Sequence, residues 1–185
     1  MAKSMMQKNW YELVAPDIFD NETVSETPAE KADKVVNRTV KVNLKELMPS
    51  SDKYYMDVFL QVTDVDGKKA KTELIGHDTS KEYISKMVSR RSDRIDRVID
   101  AETQDGKEVR FKLVATTIQK THSSAKTEIR KRMGEIVEEK AEDTDFEDLM
   151  EQIFQNEVQK EINEACQEIY PLRTVEFRKT ELLEN

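Results

Sequence analysis

Two Asp-Gly pairs, Asp66-Gly67 and Asp105-Gly106, each sit between runs in which apolar residues recur at every second position. A tight hairpin demands positive φ, which glycine adopts without steric penalty, so each pair is expected to join two antiparallel strands. In the first hairpin Tyr54, Met56, Val58, Leu60 and Val62 alternate with Tyr55, Asp57, Phe59, Gln61 and Thr63; D-V-D-G-K-K then turns the chain and A-K-T-E-L-I-G-H returns. In the second, Ile95, Arg97, Ile99 and Ala101 lead to Gln104-Asp105-Gly106, and Val109, Phe111, Leu113 and Ala115 run back.

Further strands follow from the same period. Val36, Val40, Val42 and Leu44 oppose Asn37, Thr39, Lys41 and Asn43, with Arg38 on the apolar side, and Pro49 closes that element. After Pro171, L-R-T-V-E-F-R-K-T-E-L-L reads as a last strand with Val175 and Phe177 inward and Arg178 outward. A sheet of about six short-linked antiparallel strands curls to hide its edges. The expectation is an α+β fold: a closed or nearly closed antiparallel β-barrel flanked by helices, as a single domain over 34–182. Residues 1–33 lack a sustained period and are expected to dock as an extended arm, with Trp10, Tyr11 and Phe19 as anchors on the protein's own body. Base stacking is the second reading for Trp10.

Helical spacing appears in three places. Thr79 and Glu82 form a capping-box pair ahead of Tyr83, Ile84, Met87 and Val88, whose helix ends on Arg90 and Arg91. Those cations either answer the helix dipole or meet a ligand. Ile129, Met133, Ile136 and Val137 turn Lys126, Arg130, Lys131 and Arg132 away from the core. With Glu128 the single acidic residue between His122 and Arg132, this run reads as a phosphate contact before it reads as a solvated face. Finally Thr144 and Glu147 open a stripe of Phe146, Leu149, Met150, Ile153, Phe154, Val158, Ile162, Ala165, Cys166 and Ile169, a single helix of about six turns. Its apolar face is core or a seat for a partner protein.

Charge separates along the chain. The total is -8, yet residues 81–132 hold 14 Lys and Arg against 8 Asp and Glu, while 135–170 hold 13 acidic residues against 2 lysines. Such asymmetry points to a polyanionic partner on the basic side. Catalytic constellations are not visible: His77 and His122 have no ligand spacing with each other or with Cys166, and the four glycines form no phosphate-cradling loop. No enzyme, metal, cofactor or small-molecule substrate is expected. His77 reads as a hydrogen-bonded strand-end histidine and Cys166 as a small core residue. No apolar run reaches the ~18 residues of a membrane span or forms a signal peptide, so a cytoplasmic protein is expected.

Several segments together resemble a known family: K-N-W-Y-E-L-V-A-P-D-I-F at 8–19, G-H-D at 76–78, S-K-M-V-S-R-R at 85–91, D-G-K-E-V-R-F-K-L-V at 105–114, I-R-K-R-M-G-E-I-V at 129–137 and E-A-C-Q-E-I-Y-P-L-R-T-V-E-F-R-K at 164–179. The chain resembles the archaeal and eukaryotic small-ribosomal-subunit proteins of the S-one-e, or S-three-A-e, family, and is expected to be of archaeal type. The resemblance implies a β-barrel with flanking helices, no catalysis, and binding to ribosomal RNA and neighbouring small-subunit proteins on the platform near the messenger exit. By position, the family's basic surface falls on Lys8, Arg90, Arg91, Arg130, Lys131, Arg132, Arg173, Arg178 and Lys179; the helical pattern adds Lys126. The rival function is a transient translation accessory factor or protein-interaction module that uses the acidic amphipathic helix.

Overall fold

The computed structural model describes residues 8–183, with eight strands and five α-helices. It is an α+β protein that divides into two compact units, Met1–Ile75 and Gly76–Asn185.

In the first unit, β1 (Asn9–Val14) and β2 (Thr23–Ala29) form an antiparallel pair from Asn9↔Ala29 to Val14↔Thr23. Of the segment expected as an arm, residues 9–29 are therefore paired structure, returned by a 3-10 turn at Asp17–Phe19 and by Asp20 and Asn21 at positive φ, while residues 1–7 lie outside the described residues. Tyr11 and Phe19 are buried, whereas Trp10 is 58% exposed. β3 (Thr39–Asn43) pairs with β4 (Met56–Asp66) and leads into the short α1 (Leu44–Leu47). The strand starts later than its pattern implied because Asn37 takes φ 65°. β4 pairs with β5 (Lys69–Thr79) across Gly67, at φ 61°, and β5 pairs in parallel with β1 at Glu12↔Lys69.

The ladder order here is β2-β1-β5-β4-β3, which ends at β2 and β3 and does not close. A barrel was expected; what spans the gap is a side chain, the Arg38 guanidinium donating to Thr27 Oγ1 at 2.7 Å and to the Pro28 carbonyl at 3.2 Å. Arg38, expected on the apolar side of the strand, stands just ahead of β3. Tyr11, Leu13, Ala29, Val35, Val62 and Ala70 form the core beneath.

In the second unit, the end of β5 pairs with β8 (Leu172–Leu182), β8 with β7 (Glu108–Thr117), and β7 with β6 (Arg94–Glu102), all antiparallel. This ladder also stays open, ending at β6. α2 (Lys81–Met87) lies on one face through Ile84 and Met87 against Val114. Its cap is Ser80, whose Oγ accepts the Tyr83 N–H at 3.3 Å, one residue later than the expected Thr79. Thr79 is buried and donates to the Phe177 carbonyl.

α3 (Ser123–Asp143) packs along β6, buries Ile129, Met133, Ile136 and Val137, and presents Gly134 to Arg97. The expected long helix is two: α4 (Phe146–Phe154) and α5 (Glu157–Cys166), separated where Asn156 adopts φ 65°. A left-handed residue ends a helix, and the apolar stripe resumes in phase afterwards, which hid the break. Phe146, Leu149, Met150, Ile153, Phe154, Val158, Ile162 and Cys166 are all buried, each large side chain contributing roughly 1.5–3 kcal/mol relative to exposure. Thr144 closes α3 instead of capping α4; the Phe146 N–H is satisfied by Asp105 Oδ1 at 3.2 Å. Burial raises the Cys166 thiol pKa, and the side chain is core. His77 is buried, with Nε2 3.1 Å from the Phe177 carbonyl and its ring edge-on to Phe154.

Candidate nucleic-acid interface

Between α2 and β6 the chain makes a turn at Ser89–Ser92: the Ser89 N–H donates to Ser92 Oγ at 3.0 Å and the Ser92 N–H to the Ser89 carbonyl at 3.2 Å. The two middle residues are Arg90 and Arg91, both exposed and without an ion pair among the described residues. They lie beyond α2, in a turn and not in its last helical turn as expected, so the dipole explanation lapses. The turn is tied to the sheet through Asp93, whose N–H donates to Thr117 Oγ1 at 2.9 Å and whose carbonyl accepts the Thr117 N–H at 3.0 Å.

Arg90 and Arg91 line a concavity of about 660 Å³ with Ile118, Gln119 and Lys120. Ile118 is 53% exposed, an aliphatic surface among three cations. Arg173, also exposed and unpaired among the described residues, follows Leu172, which faces Thr117 at the same end of the sheet.

The α3 cations divide. Lys126 Nζ is 2.9 Å from Asp93 Oδ2, which also accepts the Thr121 N–H; that backbone bond first, then Lys126, holds the Asp93 carboxyl below its usual range. Lys131 and Arg132 both reach Glu135, at 3.6 and 3.4 Å. The expectation that this run lacked acidic neighbours stopped three residues short of that glutamate. The pairs are loose: Lys131 stays 78% exposed, and such surface pairs hold little energy. Arg130, half-buried, has no ion pair among the described residues.

Arg178 and Lys179 form a separate group. They line a cleft of about 460 Å³ with Lys81, Arg94, Lys112, Asp78, Thr79, Ile84 and Ser85. Lys112 and Lys179 bond Glu181, with Lys112 at 2.5 Å, and these lysines depress the Glu181 pKa. Arg94 is bidentate on Asp96 at 2.6 and 2.8 Å, which raises its own pKa. Lys8 is exposed ahead of β1, in the first unit.

Lys81, Arg94, Lys112 and Lys120 were missed by sequence reasoning. For Arg94 and Lys112 the signal existed, since both occupy outward positions of the second hairpin. Lys120 stands in an irregular loop that no period describes.

Charge sorts along the length of α3 and β6. Both elements begin near Asp93 and Lys126; at their other ends Glu138 and Glu142 share a cleft with Asp100 and Glu102. Arg90, Arg91, Lys120 and Lys126 therefore lie toward one end of this helix and strand, and four carboxylates toward the other, where Asp100 is paired with Arg110. The acidic side was expected on the long helix; it begins in the last turns of α3.

Comparison with known proteins decides what kind of chain carries this arrangement. The Ribosomal S3Ae family matches residues 2–185. The chain belongs to that family. Among its S3Ae relatives, small ribosomal subunit protein eS1 of Methanopyrus kandleri is 37% identical over 181 residues, 96% of this chain and 86% of the relative. The eS1 proteins of Sulfurisphaera tokodaii and Desulfurococcus amylolyticus are 36% and 34% identical, each over 95% of this chain. Among the described residues, no helix is long and apolar enough to cross a membrane and no His, Cys, Asp and Glu group is arranged to hold a metal.

Proposed function

We propose that this S3Ae-family chain is a structural constituent of the small ribosomal subunit in the cytoplasm, with a structural and not a catalytic role. It binds ribosomal RNA through the basic end of its second unit and meets neighbouring subunit proteins on the platform near the messenger exit. The observation that carries the RNA reading is the Arg90-Arg91 pair, two unpaired guanidiniums on a turn fixed by Ser89, Ser92 and Asp93, with Lys120 in the same concavity. Guanidiniums held in a fixed geometry match phosphate oxygens, and a backbone-directed contact positions an RNA without reading its sequence. Arg130 and Arg173 extend the same surface, and Lys131 and Arg132 contribute by exchanging Glu135 for phosphate.

The test is the salt dependence of binding to a small-subunit RNA fragment. Arg90→Gln with Arg91→Gln lowers the slope of log affinity against log salt by roughly 0.7–0.9 for each phosphate no longer neutralised. An unchanged slope refutes the assignment. Sedimentation of high-salt-washed small subunits checks constituency: stoichiometric retention is expected, whereas loss to the supernatant supports a transient accessory factor.

A further inference from the structure

We propose that the cleft between α2 and the outer face of β6, β7 and β8 is a second phosphate seat, which takes a phosphodiester of the bound RNA separately from the Arg90-Arg91 turn. This rests on the RNA reading above and adds to it a site with its own residues.

The first ground is a β-bulge. Along β7 and β8 the register runs Leu113↔Phe177 and then Lys112↔Lys179, so Arg178 is an extra residue opposite no partner. In a regular strand successive side chains alternate, and Lys179 would share the inward side with Val175 and Phe177. The bulge instead leaves both Arg178 and Lys179 lining the cleft and returns Thr180 to the core at 1% exposure. A bulge disrupts the ladder locally and re-aims side chains, and here its product is two adjacent cations at one mouth.

The second ground is charge. Lys81, Arg94, Lys112, Arg178 and Lys179 line the cleft against one carboxylate, Asp78. Asp96 takes up Arg94, and Glu181 is shared by Lys112 and Lys179, so even with these two carboxylates counted the cations exceed the anions by two, five against three. Lys81 and Arg178 have no ion pair among the described residues. Two ammonium groups on one carboxylate leave a positive field at the Glu181 position, and Glu181 occupies the place in that pair that a phosphate oxygen takes in the complex. The cleft has no aromatic wall for a base; Ile84 is its single large apolar residue, so its chemistry suits the backbone.

The experiment uses the full chain and a polyuridylate oligonucleotide, with affinity measured across salt concentrations for the wild type, K81Q/R178Q, R90Q/R91Q and the four-fold variant. K81Q/R178Q is expected to lower the slope by about 0.7, the share of the one phosphodiester the seat takes from a single strand, additively with R90Q/R91Q, and Arg178→Lys is expected to restore part of that loss. If R90Q/R91Q lowers the slope and K81Q/R178Q does not, the second seat is overturned while the first reading stands. If neither changes it, both fall. Should K81Q/R178Q melt early, K81Q alone, on the surface of α2, decides by the same slope. Inorganic phosphate that shifts Arg178 resonances with no slope change in K81Q/R178Q assigns the cleft to free phosphate, and an acidic peptide doing the same assigns it to a protein; either result overturns the proposal.

Discussion

Lys126 Nζ lies 2.9 Å from Asp93 Oδ2, so one cation of the α3 run holds the Arg90-Arg91 turn in place while Arg130, one helical turn on, has no ion pair among the described residues. The two residues should respond differently to the same substitution. Arg130→Gln is expected to lower the salt slope of RNA binding by roughly 0.7–0.9 with an unchanged melting temperature. Lys126→Gln is expected to lower the melting temperature, with a smaller effect on the slope. Equal slope changes would show that the Asp93 pair dissolves on binding.

Gly76 has φ 151°, and a Cβ on it would stand 2.1 Å from the Thr180 carbonyl oxygen. Since that oxygen belongs to the paired strand, the ladder at His77↔Thr180 has to move to admit any side chain. Gly76→Ala is expected to destabilise by about 3 kcal/mol, from backbone strain and overpacking together. Gly67→Ala, where nothing lies within 4 Å, pays only the left-handed backbone cost of about 1–2 kcal/mol. Urea midpoints of the two variants check the order.

Asp105 joins the second hairpin to α4: it accepts from Thr103 Oγ1 at 2.5 Å and from the Phe146 N–H at 3.2 Å, and pairs with Lys107 at 3.0 Å. Partial burial pushes its pKa up, but the Thr103, Lys107 and Phe146 interactions outweigh it and the carboxyl ends below its usual value. Glu181 is depressed as well, by Lys112 and Lys179. Groups lowered on folding stabilise the fold above their unfolded pKa of about 4, and that contribution is lost as pH falls through the lower folded values. Stability is therefore expected to be flat from neutral pH to about 5 and to fall below about 4. Asp105→Asn should be less stable at neutral pH yet show a shallower acid decline; an equally steep decline would remove Asp105 from the account.

Asn156 has φ 65° and ψ 20° between α4 and α5. Asn156→Gly is expected to be near neutral and Asn156→Ala to cost about 1 kcal/mol, the left-handed penalty for a residue with a Cβ. In one continuous helix the ranking would reverse, because alanine is the better helix former. Thermal melts of the pair distinguish the two.

The hairpins were legible because their determinants are local. Gly67 and Gly106 have the positive φ that their turns require, and Val58, Leu60 and Val62, like Val109, Phe111 and Leu113, are buried on the side their alternation names. Open ladder ends were not legible, since a strand's own residues do not state which neighbour it lacks; the parallel β1–β5 pairing joins segments far apart in the chain. Tyr11 and Leu13 do alternate with Trp10 and Glu12, but over too short a run to announce β1. At the basic surface, sequence named Arg90, Arg91, Arg130 and Arg178 as cations for a phosphate; none of the four has an ion pair among the described residues. It could not show that Lys126 is bound to Asp93, because that bond depends on where α3 begins against β6.

The lengthwise sorting of charge on α3 and β6 gives the second unit an electrical head and tail. On the proposed reading, such a body would feel a torque as well as a pull in the field of a phosphate polymer, which would turn Arg90 and Arg91 forward and disfavour encounters led by Glu138 and Glu142. The chain's negative total of -8 would then act as a filter on the angle of arrival.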